Sequence, residues 1–200
     1  MKKAGVLMLI MIGISLSDLS AQYRRDAFNG IGLRLGTPLG VSYKMYLPRR
    51  QAMEFIIGTT PEGWYDSYYR DNFDRYDDFD DKTYDGHIID YSIAFSGRYL
   101  FHMDFPERVP GFEWYYGFGG QLRLAGAEYQ YLEQGENAGA NASFRNKADF
   151  ALGPEGIAGL EYVIPNSYLT AFADASLFME LVDNPLRFRF QAGIGLRYDF

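Results

Sequence analysis

The chain has 200 residues and carries 19 Lys+Arg against 26 Asp+Glu, a formal net charge of −7, with no cysteine. That length suits one domain. The acidic balance argues against nucleic acid, whose phosphates call for a basic face, and the lack of Cys excludes disulfides, thiolate metal sites, cysteine nucleophiles and attachment of lipid at an N-terminal Cys.

Lys2 and Lys3 precede an apolar stretch from Ala4 to Ile14, followed by Ser15, Ser17, Ser20 and Ala21. This pattern predicts a secretory signal over 1–21, cleaved between Ala21 and Gln22, and a single mature domain over 22–200. The apolar core is about a dozen residues, short of the roughly 20 that a spanning helix needs, and no comparable run follows it. A helical membrane protein is excluded.

Beyond residue 26 the apolar pattern has period two, which predicts an all-β chain. Ile31, Leu33 and Leu35 alternate with Gly30, Gly32 and Arg34; after a turn at Thr37-Pro38, Leu39, Val41, Tyr43, Met45 and Leu47 alternate with Gly40, Ser42, Lys44 and Tyr46. Met53, Phe55 and Ile57 make a third strand, whose alternation Ile56 interrupts. A fourth places Ile89, Tyr91, Ile93, Phe95, Tyr99 and Phe101 opposite Asp90, Ser92, Ala94, Ser96 and Arg98; a fifth runs from Phe112 to Leu124. The segment 150–164 holds Pro154 and several glycines, so a bulge or phase shift is expected in the sixth. Leu169 to Leu177 reads as a seventh strand. The eighth is the most regular, with Phe188, Phe190, Ala192, Ile194, Leu196, Tyr198 and Phe200 on one face and Arg187, Arg189, Gln191, Gly193, Gly195, Arg197 and Asp199 on the other.

The connections 48–51, 103–111 and 165–167 are short or moderate, whereas 60–86 and 132–147 are long. Short turns at one end and long loops at the other suit an eight-stranded antiparallel up-and-down transmembrane barrel. A soluble barrel around a ligand is the inverse arrangement of the same alternation. Against it, the polar face is rich in glycine and small residues, as a narrow lumen needs. Tyr46, Tyr99, Phe101, Phe112, Trp114, Tyr162 and Tyr168 also gather near strand ends on the short-turn side, where rings with one wet edge favour a lipid–water interface. Tyr46 and Tyr168 fall on the polar phase.

A cleavable signal, eight alternating strands and a last strand ending Gly193-x-Gly195-Leu196-Arg197-Tyr198-Asp199-Phe200 resemble the small outer-membrane barrels of OmpA and OmpX type. The opening, Gly30-Ile31-Gly32-Leu33-Arg34-Leu35-Gly36 with Pro38-Leu39-Gly40-Val41, is similar to Bacteroidetes members. The resemblance covers nearly the whole mature chain and is one of architecture, without a catalytic motif. It implies a location in the outer membrane of a Gram-negative envelope, with outer-membrane lipid and lipopolysaccharide as surroundings. It also implies that the last strand, with Phe188, Phe190, Ile194, Leu196, Tyr198 and Phe200, is the signal read by the barrel-assembly machinery.

With the polar phase inside, the lumen receives Glu54, Asp90, Glu113, Glu155, Glu161, Asp174 and Asp199 together with Arg34, Lys44, Arg98, Arg123, Arg187, Arg189 and Arg197. Seven acids face seven bases. Buried charge is tolerable when paired and hydrogen-bonded, so the balance predicts a network of ion pairs that fills the interior in place of a general pore.

The segment 60–86 holds nine acids against three bases, interleaved with Trp64, Tyr65, Tyr68, Tyr69, Phe73, Tyr76, Phe79 and Tyr84. It reads first as a solvated acidic loop. Contact with protein or glycan through its tyrosines is a sharper reading, and divalent-ion binding by Asp74, Asp77, Asp78, Asp80 and Asp81 another, although the spacing is not that of an EF-hand. Enzymatic barrels need a His beside a Ser with an orienting acid; His102 falls at the short-turn end, and His87 has no Ser nearby in sequence before Ser92. No catalysis and no cofactor is expected, and the glycines lie in strands, outside any phosphate-cradling loop. A structural or surface-interaction protein of the outer membrane is the expectation. An accessory subunit or surface receptor of a larger envelope complex is the first alternative, followed by a lipid-modifying enzyme and a soluble periplasmic barrel.

Overall fold

The computed structural model describes residues 29–60, 70, 73, 82–104, 110–133, 143–182 and 185–200. Eight strands succeed one another: β1 (Asn29–Gly36), β2 (Leu39–Leu47), β3 (Gln51–Thr59), β4 (Lys82–Asp104), β5 (Phe112–Glu133), β6 (Ser143–Val163), β7 (Leu169–Met179) and β8 (Phe188–Asp199). Each pairs antiparallel with the next, and β8 closes on β1 with Leu33 opposite Leu196. The all-β, up-and-down barrel expected from the alternation is the observed fold.

Closure removes every sheet edge over the height where all eight strands pair, and alternation then decides what faces where. The apolar phase points out: Leu33 is 69% exposed and Phe190 73%. The polar phase points in: Lys44 and Arg197 have no exposed surface. Ile56 shares the inward phase with Glu54, so its apparent break in the pattern is an apolar residue lining the lumen.

Chain reversals follow local chemistry. Pro48 opens a 3-10 turn between β2 and β3 in which Arg49 and Arg50 take φ of 63° and 61°. The connection from β1 to β2 is only the pair Thr37-Pro38, so one of the four connections at the far rim is short. Gly36 beside it has φ 139°, where a side chain would be strained, and a Cβ there would also meet the Ala192 carbonyl.

Strand lengths differ from the sequence expectation in one sector. β4 starts at Lys82 and not near Ile89, β5 continues to Glu133, and β6 begins at Ser143. Pairing of β3 with β4 ends at Gly58–Ala94, and pairing of β6 with β7 at Glu155–Phe178. The outer parts of β4, β5 and β6 therefore rise beyond the rim as a three-stranded sheet. Its inner face carries an apolar cluster of Ala125, Ala127, Tyr129 and Tyr131, packed by Tyr84, Ile89 and Phe73.

The expected irregularity of the sixth strand is absent: β6 pairs with β5 from Tyr162 to Ser143 without a shift. Pro154 lies one residue beyond the last pair that β6 makes with β7, where its missing N–H removes no ladder bond. The irregularities lie in β4, between Tyr84 and Gly86 and between Ile89 and Tyr91. The second has a consequence for charge placement. One extra residue flips the phase, turning Ile89 to the inner face and Asp90, expected in the lumen, to the exposed outside.

Candidate functional site: the charged lumen and the rim

Two places concentrate chemistry, the lumen and the projecting sheet. In the lumen, β1, β2, β3, β4, β6, β7 and β8 each contribute inward charges at the level where the wall is complete. Arg98 of β4 holds Glu155 of β6 through two parallel hydrogen bonds, Nε to Oε1 at 2.8 Å and Nη2 to Oε2 at 3.0 Å. Its Nη1 lies 3.5 Å from Asp174 and 3.7 Å from Glu54. Asp174 also pairs with Arg34, whose Nη2 donates to the Thr37 carbonyl at 3.1 Å. Arg197 of β8 bridges Glu54 at 2.6 Å and Glu161 at 2.7 Å, and Glu161 also pairs with Lys44.

These eight side chains, four bases and four acids, form one connected network whose members are all almost fully buried. Charge balance and multiple partners are the conditions under which buried ions are tolerable. Rings complete the packing: Arg197 lies 4.6 Å over Phe172 and Lys44 4.5 Å over Tyr115. Glycines give the long side chains room. A Cβ on Gly193 would stand in the guanidinium of Arg34.

Toward the short-turn end, His102 Nε2 lies 2.9 Å from Lys44 Nζ and 3.5 Å from Glu161. Asp199 accepts from Thr170 Oγ1 at 2.5 Å and from the Tyr46 hydroxyl at 3.2 Å, which explains why this tyrosine sits on the polar phase. Toward the rim the network gives way to an uncharged layer, in which Gln191 donates to Gln121 at 2.9 Å and Gln121 to Ser96 at 3.2 Å. Above it Arg123 pairs with Asp149 at 2.6 Å and Arg189 with Glu180 at 3.1 Å.

Of the fourteen residues assigned to the lumen, the structure buries Arg34, Lys44, Glu54, Arg98, Arg123, Glu155, Glu161, Asp174, Arg189, Arg197 and Asp199. Asp90 is outside for the reason given above. Glu113 is half-buried at the base, close enough to act electrostatically on the exposed Arg50–Asp104 pair, and Arg187 is half-buried just ahead of β8. Sequence reasoning missed Asp149 and Glu180. Asp149 continues the inward phase of Ala151, Gly153 and Glu155 and was readable from it, whereas Glu180 lies past the end of β7 and carried no strand signal.

On the projecting sheet, Phe73 is 2% exposed and packs its ring 5.4 Å from Tyr84 and 5.8 Å from Tyr129. The Tyr84 hydroxyl lies 2.6 Å from His87 Nδ1, and Lys82 sits 4.5 Å over Tyr131. His87 thus belongs to an aromatic cluster, and His102 to the lumen network. The candidate cation ligands Asp74, Asp77, Asp78, Asp80 and Asp81 lie outside the described residues, as does the expected signal segment; among the described residues no group of three or more His, Asp or Glu could hold a metal.

At the opposite end the exterior carries rings in contact: Tyr99, Phe101, Tyr116 and Phe118, then Phe112 with Tyr162, and Tyr198 with Phe200 and with Tyr168, which is exposed on the outside and not on the polar phase expected for it. Phe188, Phe190, Ile194, Leu196, Tyr198 and Phe200 of the last strand all face outward. An apolar exterior with an aromatic girdle around a charged interior defines a transmembrane β-barrel. The soluble alternative required the inverse placement of faces.

No protein-family model and no curated protein sequence matches the chain. Among solved structures, it is similar to the N-terminal β-barrel domain of Pseudomonas aeruginosa OprF, with 13% identity over 86% of this chain and 96% of that one and a TM-score of 0.44. It is also similar to Neisserial surface protein A, with 12% identity over 86% and 93% and a TM-score of 0.41. The assignment to small eight-stranded barrels rests on the strand pairing above.

Proposed function

We propose that the chain is an outer-membrane protein, exported with a signal cleaved near Ala21-Gln22, whose lumen is closed to general solute traffic and whose role is structural or surface-interacting. The observation that carries the closed lumen is the balanced network of Arg34, Lys44, Glu54, Arg98, Glu155, Glu161, Asp174 and Arg197. Eight strands enclose an interior that side chains alone can fill, and these side chains bind one another across it. Outer-membrane lipid and lipopolysaccharide surround the belt, and the barrel-assembly machinery engages the last strand during biogenesis.

The surface role is supported by the projection of the outer parts of β4, β5 and β6 beyond the rim. Purified protein in planar bilayers tests the closed lumen. No stable conductance steps are expected, and reproducible single-channel steps well above the noise would overturn it.

A second reading, an accessory subunit or receptor of a larger envelope complex, is favoured by the projection alone. Beyond the rim, β4 and β6 each have a sheet neighbour on one side only among the described residues, and open edges are templates for pairing with another chain. Stoichiometric co-purification of an envelope protein in mild detergent would favour it.

A further inference from the structure

The lipid-facing rows of the eight strands are far from equal. On β8 seven successive outward positions, from Phe188 to Phe200, are apolar, and on β5 the row runs from Phe112 to Leu124. On β1 it is Ile31, Leu33 and Leu35 only, bounded by Asn29 below and the Thr37-Pro38 turn above. On β3 it is Met53, Phe55 and Ile57, bounded by Gln51 and Thr59. With each residue gaining about 2.5 Å of height on a strand tilted about 40°, the long rows span about 30 Å and the short ones about 10 Å. β2 between them offers about 20 Å, from Leu39 to Leu47, on the same scale, and its base carries the exposed Arg49 and Arg50.

Tilting the whole barrel cannot reconcile these heights. The short rows are polar at both ends, and on the same scale their midpoints lie within about 5 Å of the midpoints of the long ones. We propose that the wall made by β1, β2 and β3 is a bilayer-thinning surface, matched to lipid whose hydrocarbon layer is much thinner there than around β4 to β8. An apolar wall shorter than the bilayer draws the lipid surfaces together, since Thr59 and the amides of Asn29 and Gln51, whose oxygens accept from the Tyr43 and Tyr99 hydroxyls, are polar groups that favour the lipid–water interface. This rests on the membrane reading above, and the test separates the two.

Thr59 and Phe190 stand at the same height on opposite sides of this boundary. Ile194 pairs with Leu35 and Leu39 with Thr59, and one residue past the last β1–β2 pair, Arg34–Gly40, puts Leu35 level with Leu39; this row climbs about 3 Å per strand, and Phe190 lies four residues above Ile194, so both are about 10 Å above it. The chain has no cysteine, so Thr59→Cys and Phe190→Cys each carry one fluorescent probe. The two variants are folded into phosphatidylcholine vesicles of sixteen-carbon chains. Folding is verified by heat-dependent gel mobility, with Phe188→Cys as replacement should Phe190→Cys not fold.

The expected result is a probe at 59 quenched several-fold more by aqueous iodide than the probe at 190, which is quenched instead by mid-chain brominated lipid. Equal quenching of both by brominated lipid would overturn the thinned wall and leave the membrane reading intact. Iodide access at both, with no quenching by lipid, would overturn the membrane reading and this inference with it.

Discussion

Arg98 and Glu155, 57 residues apart in sequence, meet in the centre of the lumen through two parallel hydrogen bonds of 2.8 and 3.0 Å. This planar pairing joins β4 to β6 across the interior, and it depends on a fork that lysine does not possess. Removing one partner strands a buried charge, at a cost of about 3–5 kcal/mol, whereas replacing both with apolar residues of similar volume is about neutral. Glu155→Ala is therefore expected to destabilise the folded barrel by that amount in a urea titration, and Arg98→Met with Glu155→Leu to recover most of the loss. A double variant as unstable as the single one would contradict this balance.

The glycines of the lumen and of the exterior are expected to behave differently. Gly193→Val places atoms where the Arg34 guanidinium lies, while a Cβ on Gly156 meets nothing within 4 Å. Overpacking costs about 1–3 kcal/mol, so Gly193→Val is expected to lower the temperature at which the unboiled gel band is lost. Gly156→Ala is expected to leave it within a degree or two, on the usual size of exposed substitutions.

At the base, Arg50 and Asp104 pair at 2.7 Å with more than half of each side chain exposed. The hydrogen bond that Arg50 donates to Asp104 raises the Arg50 pKa above its already high ordinary value. A raised pKa contributes stability that is complete below the unfolded value and lost only as pH rises through the folded one, which for arginine lies beyond the working range. Exposed pairs are worth about 0–1 kcal/mol. Arg50→Ala is accordingly expected to change stability by less than about 1 kcal/mol, by the same amount at pH 6 and pH 9, as measured by urea titration at both.

Phe73 anchors to the projecting sheet, against Tyr84, Ala125, Ala127, Tyr129 and Tyr131. Local stability differs between such units. Phe73→Ala is expected to speed proteolysis and amide exchange around Tyr84 and Tyr129 while leaving the heat-dependent mobility of the barrel unchanged. Loss of the mobility shift would show that the projection and the barrel fold as one unit.

Much of this was legible because a strand with one face in lipid and one in a polar lumen has a strict period of two. β8 and β1 carried it without exception, and Arg34, Arg197 and Asp199 were placed by it. It failed where the physical cause of alternation fails. In β4, one extra residue at Asp90 reverses the phase, and nothing in the local sequence marks a bulge between Ile89 and Tyr91. Farther out, β4 to β6 carry tyrosines, alanines and charges such as Asp85, Glu128, Arg145 and Lys147 in place of a continuous apolar row, and they read as loop. Pro154 pointed to a disturbance because the sequence could not tell that β7 ends opposite it.

Separating cell membranes and comparing the gel migration of boiled and unboiled protein tests the central claim most directly, that the apolar face meets lipid and the charges fill a closed lumen. Outer-membrane localisation with a heat-dependent shift in mobility is the expected result. Recovery in the soluble periplasmic fraction without a shift would contradict it.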